Sequence, residues 1–495
     1  MNKSIWDETK IDKDYPSLKE DKEVDILIIG GGITGINSLY QLKDKDIILV
    51  EKNKIGQGVT LNTTGKLTYL QSNIYNKIKD KNKKELYLKS QIKAINTIKN
   101  IIKDNNIECN LEKTKSYVFT KLDKEIKEIK KLKDFLISNN IKVYENDMPI
   151  LKYKYSISVD DTYIFNVIEY INGLLDNIDD NKIYENTNIE KIEKNHDKYI
   201  CYTKNNKIIC NKIILATHYP YFIIPYFFPA KCYLEKSYII SFKEKMNPIS
   251  LISYNKPTIS MRTYKDNVLY LSESHNICNK TNDKKHFEKL LNNKIEHIWS
   301  NIDIITNDYL PYIGYIKDNI IISTGYNTWG MTNSVIASII VKDIIDNKEN
   351  VYAKLFDPKR NKLITRIISD SCSTLKGYYE GFKYSNIKCK CPHAKSKLIY
   401  NEIENTYDCP CHGSRFDING KVIQGPSNKD IKIKKEKVSY NKKISTSFRS
   451  WYFILSSNIK VRTNFSMEGL VGFEPTIREL QSHALPLGYR PIKHK

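Results

Sequence analysis

The hydrophobic pattern of this chain is clearest near its start. Val24-Asp-Ile-Leu-Ile-Ile29 is a short apolar run and predicts a buried parallel strand. It passes directly into Gly30-Gly31-Gly32-Ile33-Thr34-Gly35, after which an amphipathic stretch to about Leu42 predicts a helix. Asp46-Ile-Ile-Leu-Val-Glu51 then predicts a second strand. Farther on, residues 79–140 hold long lysine-rich helical segments. Between Glu125 and Leu136, the residues Ile126, Ile129, Leu132 and Leu136 recur at three- and four-residue spacing. That apolar stripe with a charged opposite face predicts a surface helix. No stretch approaches the ~20 uninterrupted apolar residues of a membrane span.

The 495 residues suffice for two or three domains at ~100–200 residues each. The N-terminus, residues 1–23, is polar and lacks the apolar core of a signal peptide, so a cytoplasmic protein is expected. Ten cysteines in this length do not make a disulfide scaffold, and four of them cluster at 389–411. Cys109, Cys201, Cys210, Cys232, Cys278 and Cys372 are scattered and read as inert thiols. The net charge of +22 comes from lysine spread along the chain amid abundant Asn and Ile. No aromatic-interleaved basic patch stands out, so nucleic acid is not an expected partner.

Gly30, Gly32 and Gly35 supply G-x-G-x-x-G between a strand and a helix, where glycines let the backbone approach a pyrophosphate at the helix N-terminus. Glu51 ends the second strand about twenty residues on, where an acid can hydrogen-bond a ribose hydroxyl. Strand, glycines, helix, strand and acid occur in order, which makes the signal far more specific than a lone glycine motif. FAD and NAD share this fingerprint, so it leaves the choice between them open.

A second constellation lies near the other end. Cys391-Pro-His393 is followed by Cys409-Pro-Cys411-His412, giving C-x-H and C-x-x-H pairs close enough to come from adjacent loops. A [2Fe–2S] cluster with Cys on one iron and His on the other needs that inventory. Structural zinc is the rival, although zinc knuckles usually carry C-x2–4-C spacing.

The wording of both regions resembles known families. Cys409-Pro-Cys411-His412-Gly413-Ser414-Arg415-Phe416 resembles the second cluster-binding loop of Rieske domains, and Gly425-Pro426 their proline loop. That resemblance implies Cys391, His393, Cys409 and His412 as ligands, with Ser414 placed to hydrogen-bond a cluster sulfur. The family often adds a disulfide, and Cys411 matches one half of it. Ser396 occupies the other position, so either the bond is absent or Cys389 substitutes. The short interval between Arg360 and Cys391 implies an abbreviated base to this β-domain.

Gly56-Gln-Gly58-Val-Thr60-Leu-Asn62-Thr-Thr-Gly65-Lys66 resembles the loop after the second strand in the D-amino-acid oxidase superfamily, which includes glycine and sarcosine oxidases. Ile214-Leu-Ala216-Thr217-His218-Tyr219-Pro220 resembles a strand-to-loop segment of members fused to Rieske domains. Trp299-Ser300, Asp308 to Gly314, and Thr324-Gly325-Tyr326-Asn327-Thr328-Trp329-Gly330-Met331-Thr332 resemble their C-terminal flavin-binding segments. The likeness spans about residues 24–345 and implies FAD rather than NAD. Thr60, Gly325, Gly330 and Met331 join Gly30, Gly32, Gly35 and Glu51 as expected FAD contacts. Asn62 stands where some relatives tether FAD through a histidine, so non-covalent FAD is expected. Tyr326 and Trp329 are candidates for walling the flavin or for plain core packing.

For the substrate, Arg262 is the sole arginine among the first 359 residues. A planar fork clamps a carboxylate in a way an ammonium cannot, and members of this superfamily often use an arginine of the substrate-domain sheet. A structural ion pair or an interdomain contact is the competing reading. His218 and His275 lie in segments the family places near the flavin.

These readings combine into an α/β, Rossmann-like FAD-binding domain of the glutathione-reductase type with an α+β substrate subdomain, followed by a small all-β Rieske domain. The expected boundaries are an N-terminal extension 1–23, an oxidoreductase domain 24–365 with its substrate subdomain within about 140–300, and a Rieske domain 366–443. Residues 444–495 change character, holding Arg449, Arg462, Arg478 and Arg490 but only three lysines. From Gly469 onward they resemble a mistranslated transfer-RNA gene, which implies read-through or a frameshift after about Lys443; a genuine interaction tail is the alternative. The expected activity is oxidation of a small amine or amino acid by FAD, with the cluster passing electrons singly to an unidentified acceptor. Alternatives are a flavin/iron–sulfur reductase fed by NAD(P)H, for which a second dinucleotide fingerprint is missing, and a non-enzymatic redox sensor.

Overall fold

The computed structural model describes residues 3–219, 231–255, 258–277 and 295–360, and within 376–433 all but 378, 382, 384, 386–388, 394 and 428. The tail 444–495, Cys278 and Cys372 lie outside the described residues.

Three sheets carry the fold. In the first, β1 (Lys22–Ile29) lies between β2 (Ile47–Val50) and β10 (Lys207–Leu215), all parallel. Parallel β7 (Ile183–Tyr184) and β17 (Ile320–Thr324) extend it beyond β2 and β10. Antiparallel β16 (Tyr312–Lys317) closes one edge, and the hairpin of β8 (Lys191–Asn195) and β9 (Lys198–Tyr202) pairs onto β10. Ile26, Leu27 and Ile28 are all fully buried, which is why this strand reads as a continuous apolar run rather than an alternation. Helix α1 (Ile33–Gln41) follows β1 as expected.

The lysine-rich region forms α2 (Lys81–Asp104) and α3 (Asp123–Ser138). In α3 the residues Ile129, Leu132 and Leu136 are completely buried, so the stripe faces the core. Two further helices are α4 (Val167–Leu175) and α5 (Gly330–Ile345), and α5 packs on α1.

The second sheet runs β15 (Ile295–Thr306), β11 (Cys232–Lys243), β14 (Asn267–Asn276), β13 (Ser260–Tyr264), β12 (Ile249–Ser253), β4 (Glu112–Thr120), β6 (Tyr155–Ile164) and β3 (Lys66–Leu67), with β5 (Val143–Glu145) also on β6. Every neighbouring pair is antiparallel except β4 and β12. The third sheet is small and antiparallel: β18 (Ile399–Asn401), β19 (Thr406–Asp408), β20 (Arg415–Phe416) and β21 (Val422–Gln424).

Strands β11 and β15 form the wall between the second sheet's cavity and the third sheet. Side chains alternate faces along a strand. Tyr233, Glu235, Ser237 and Ile239 line the cavity, while Leu234 and Ile302 face the other way. A Cβ placed on Gly413, in the loop after β19, would lie 3.0 Å from Leu234 and 3.5 Å from Ile302.

The same outer face carries a buried ion cluster. Lys236 Nζ lies 3.0 Å from Asp408 and 3.4 Å from Glu404, and Arg415 Nη2 lies 2.7 Å from Glu404. Ser300 adds two bonds to Glu404, its hydroxyl donating at 2.6 Å and its N–H at 3.2 Å. Burial pushes the Asp408 carboxyl up, but Lys236 and Arg415 more than offset it and hold the group far below the usual carboxylate range. Glu404 is lowered by the same balance of burial against Arg415 and Lys236. Two cations and two acids therefore lock the small sheet to β11 and β15.

Candidate active site

The glycine turn is shaped by close backbone approach. Gly30 has φ of +112°, a region closed to most side chains, and a Cβ there would meet Ala216 backbone atoms at 2.9 Å. A Cβ on Gly35 would fall 1.9 Å from the Gly30 carbonyl oxygen, so only glycine lets α1 sit this close to β1. Thr60 Oγ1 accepts a 3.0 Å bond from the Ile33 N–H, fixing the loop after β2 onto the helix start. Glu51 lines the cleft but already accepts from the Gly31 N–H at 2.7 Å and the Asn53 N–H at 2.8 Å. Burial raises its pKa in spite of those two donors.

Gly30, Gly32, Glu51, Thr60, Gly325, Gly330 and Met331 all line one cleft. Gly35 stands behind them, supporting the turn. Thr217 Oγ1, His218 Nε2 and Asn301 Oδ1 line the same cleft and are buried with no partner among the described residues. Buried polar atoms are normally hydrogen-bonded, so this lining has unmet capacity for a polar ligand and fits a dinucleotide.

A larger cavity of about 830 Å³ adjoins the cleft. The two share Thr63, Asn301, Asp303, Asn327, Thr328 and Met331. Asn62 and Trp329 line the larger cavity and Tyr326 the cleft.

The sequence candidates for substrate contact are scattered. Arg262 is completely buried and lines neither cavity. Its Nε donates to Thr263 O at 2.9 Å, and its Nη1 donates to Gly65 O at 2.6 Å and Phe165 O at 3.0 Å. Trp6, from the N-terminal segment, covers it with the ring centroid 5.3 Å from the guanidinium carbon. Three backbone carbonyls thus hold Arg262 through Nε and Nη1, while its Nη2 is buried with no partner among the described residues. The buried lysine that does line the cavity is Lys66, whose Nζ donates to Leu251 O at 2.8 Å and Ser260 Oγ at 2.6 Å and whose pKa burial, and then Arg262, hold well below the usual lysine range. His218 lines the cleft, and burial pushes its imidazole down to about 4 against a hydrogen bond with the Ile302 backbone. His275 is elsewhere, with Nδ1 2.7 Å from Glu273 O and the ring stacked 6.4 Å from that of Tyr238.

The four cysteine and histidine candidates do come together. The His393 and His412 rings lie 5.0 Å apart at 87°, and all four ring nitrogens are buried without partners among the described residues. Burial pushes His412 down to about 3, aided by His393, and burial lowers His393 as well. Burial thus favours the neutral form of both rings, the form that ligates metal. The Cys391 and Cys409 thiols hydrogen-bond each other, and Ser414 also bonds Cys391. Among the described residues no three His, Cys, Asp or Glu side chains close on a single metal point. A thiol pair beside an imidazole pair fits a binuclear cluster better than mononuclear zinc. Cys389 and Cys411 pack in the same small core.

A model of the FAD-dependent oxidoreductase (DAO) family matches residues 25–343. The chain belongs to that family. A Rieske [2Fe–2S] domain model matches residues 378–435, so the oxidoreductase uses FAD and carries a [2Fe–2S] cluster. A Bacillus subtilis (strain 168) protein, YhfW, named for a Rieske 2Fe-2S iron–sulfur centre, is 28% identical over 481 residues, covering 84% of this chain and 94% of its own. The cytochrome b6-f complex iron–sulfur subunit 1 of Nostoc sp. is 37% identical over 62 residues, 12% of this chain and 35% of its own. Among solved structures, glycine oxidase from Geobacillus kaustophilus superposes with a TM-score of 0.56 at 15% identity, covering 69% of this chain and all of that one. L-amino acid deaminase from Proteus vulgaris gives 0.57 at 14% identity over 71% of this chain and all of that one. Those two share its fold.

In this FAD-dependent oxidoreductase the segment resembling the fused members links the two halves. Tyr219 lines the cleft, and its ring centroid lies 5.8 Å from that of His412 and 6.4 Å from that of His393. Asn301, Asp303, Glu235 and Lys66 were not singled out as site residues by sequence. They lie in unremarkable strand contexts, and only a polar residue inside an apolar alternation, as in Asn301-Ile-Asp303-Ile-Ile, gave any signal. Among the described residues, no helix is long and apolar enough to cross a membrane.

Proposed function

We infer that the protein oxidises a small amine or amino acid at its flavin and delivers the electrons through the cluster to a separate acceptor. When bound, FAD supplies two-electron oxidation and the cluster one-electron transfer. One observation carries this reading: Tyr219 belongs at once to the cleft lining and to the surroundings of both cluster imidazoles. Two redox sites separated by one side chain make sense as donor and acceptor.

In this reading Gly30, Gly32 and the start of α1 seat the pyrophosphate, and the first turn of α5, at Gly330 and Met331, faces the flavin's reacting end. Cys391, Cys409, His393 and His412 hold the cluster. The neutral His218 lends a hydrogen bond rather than a charge.

The test is an anaerobic screen of amines and amino acids with the holoprotein. Substrate should bleach the flavin and then generate the paramagnetic signal of a reduced Rieske cluster. A substrate that bleaches the flavin while the cluster stays oxidised would refute the relay, and a protein bleached by NAD(P)H alone would reverse the direction of flow.

A further inference from the structure

The junction of the two cavities is lined by oxygen acceptors. Glu235 and Asp303 stand directly opposite each other on β11 and β15, both turned to the cavity face. Asp303 also lines the cleft, so it sits where flavin and substrate spaces meet. Its one hydrogen bond among the described residues, from Asn301 Nδ2, is long at 3.3 Å. Among the described residues no lysine or arginine forms an ion pair with it. Beside it, Asn301 Oδ1 is an acceptor without a partner among the described residues, on a side chain only 8% exposed that lines both cavities.

Like charges directly across a strand pair are destabilising, and a buried carboxylate without a cation is costly. Among the described residues Asp303 and Asn301 Oδ1 are thus short of positive charge and of N–H donors. Burial first, and Glu235 second, push the Asp303 carboxyl up to about 7, with the Asn301 amide opposing them.

We propose that Asp303, with Asn301 Oδ1 and Glu235, is the specificity-determining site for a cationic amine, selecting an ammonium group over the hydroxyl of an otherwise equal substrate. An ammonium brings a charge and two or three donors to the Asp303 carboxyl, whose bond from Asn301 is long, and to Asn301 Oδ1, which has no partner among the described residues. An alcohol brings one donor and no charge, leaving the acid buried and unpaired. Discrimination by a buried polar site whose partner is missing reaches several orders of magnitude. This rests on the oxidative reading above and names the groups that recognise the substrate.

The experiment is calorimetric titration of the oxidised, anaerobic holoprotein with three matched pairs: benzylamine and benzyl alcohol, cadaverine and pentane-1,5-diol, glycine and glycolate. At least one amine should bind tenfold or more tightly than its hydroxyl counterpart. Asp303→Asn, which keeps the side chain's shape, should weaken that amine at least tenfold and leave the alcohol unchanged, with FAD content preserved. Should that variant lose FAD, Glu235→Gln serves instead and should weaken the amine at least threefold. Equal binding of amine and alcohol, amine binding unaltered in the variant, or no amine binding in any pair overturns the proposal. An amine that binds through Asp303 without bleaching the flavin keeps this site and removes the oxidative reading. An amine that bleaches the flavin equally in Asp303→Asn does the reverse.

Discussion

The ring of Tyr219 lies 5.8 Å from that of His412, centroid to centroid, and closes the cluster's imidazole side from the dinucleotide cleft. Its own burial, at 6% exposure, shows that this face is dry. Solvent exposure is one of the levers on cluster potential. Tyr219→Ala opens a water-sized gap beside the imidazoles, and water stabilises the more negative reduced state. The potential should rise, with the cluster still assembled, as read by a redox titration followed by electron paramagnetic resonance. An unchanged potential would mean that the ring is only packing.

Cluster assembly should depend on each of Cys391, His393, Cys409 and His412, because their thiol and imidazole pairs are the buried donors that meet at this point. His412→Ala should abolish the Rieske signal. Ser414→Ala should keep it and lower the potential, since the hydroxyl's bond to Cys391 favours added negative charge on the sulfur. Zinc in place of iron in the wild-type protein would overturn both expectations.

Docking of the small sheet should resist mild acid. The folded pKa values of Glu404 and Asp408 are depressed, so their contribution is fully present above the ordinary carboxylate range of about 4. It is lost only as pH falls through the lower folded values. Limited proteolysis between the two halves should therefore be unchanged from neutral pH to about pH 4 and increase below it. Asp408→Asn strands Lys236 and Arg415 beside a single acid, and breaking such a buried cluster costs about 3–5 kcal/mol. That variant should be cleaved at neutral pH.

Arg262→Lys should cost stability and spare ligand recognition. An ammonium cannot reach Thr263, Gly65 and Phe165 carbonyls from one planar fork, and each lost bond in a buried site costs about 1–3 kcal/mol. Thermal unfolding should show a lower midpoint, while the affinity of a cavity ligand should stay within about twofold, as expected for a side chain that lines neither cavity. A selective loss of carboxylate ligands at unchanged stability would return Arg262 to the substrate site.

FAD should be bound tightly but not covalently, and Gly35→Ala should lose it. The added methyl would fall 1.9 Å from Gly30 O, forcing α1 away from the strand whose turn cradles the pyrophosphate. Acid precipitation of the wild-type protein should leave all flavin in the supernatant, which absorbance measures directly.

What the sequence determined by itself is whatever depends on residues near one another in the chain. The strand–glycine–helix–strand unit from Val24 to Glu51 is contiguous, and its backbone demands are written in the glycines. The cluster inventory likewise sits in two short loops, so residue type and spacing suffice. Arg262 marks the limit of that kind of reading: its rarity singled it out, but rarity says nothing of direction. Only the fold turned its fork toward the Gly65 and Phe165 carbonyls and gave the cavity Lys66 instead. Asp303 and Glu235 were decided entirely by tertiary structure, because the register of β11 on β15 sets which side chains oppose. A slip of β15 by one residue on β11 would turn its side chains to the other face, so Asp303 would leave the cavity that Glu235 lines.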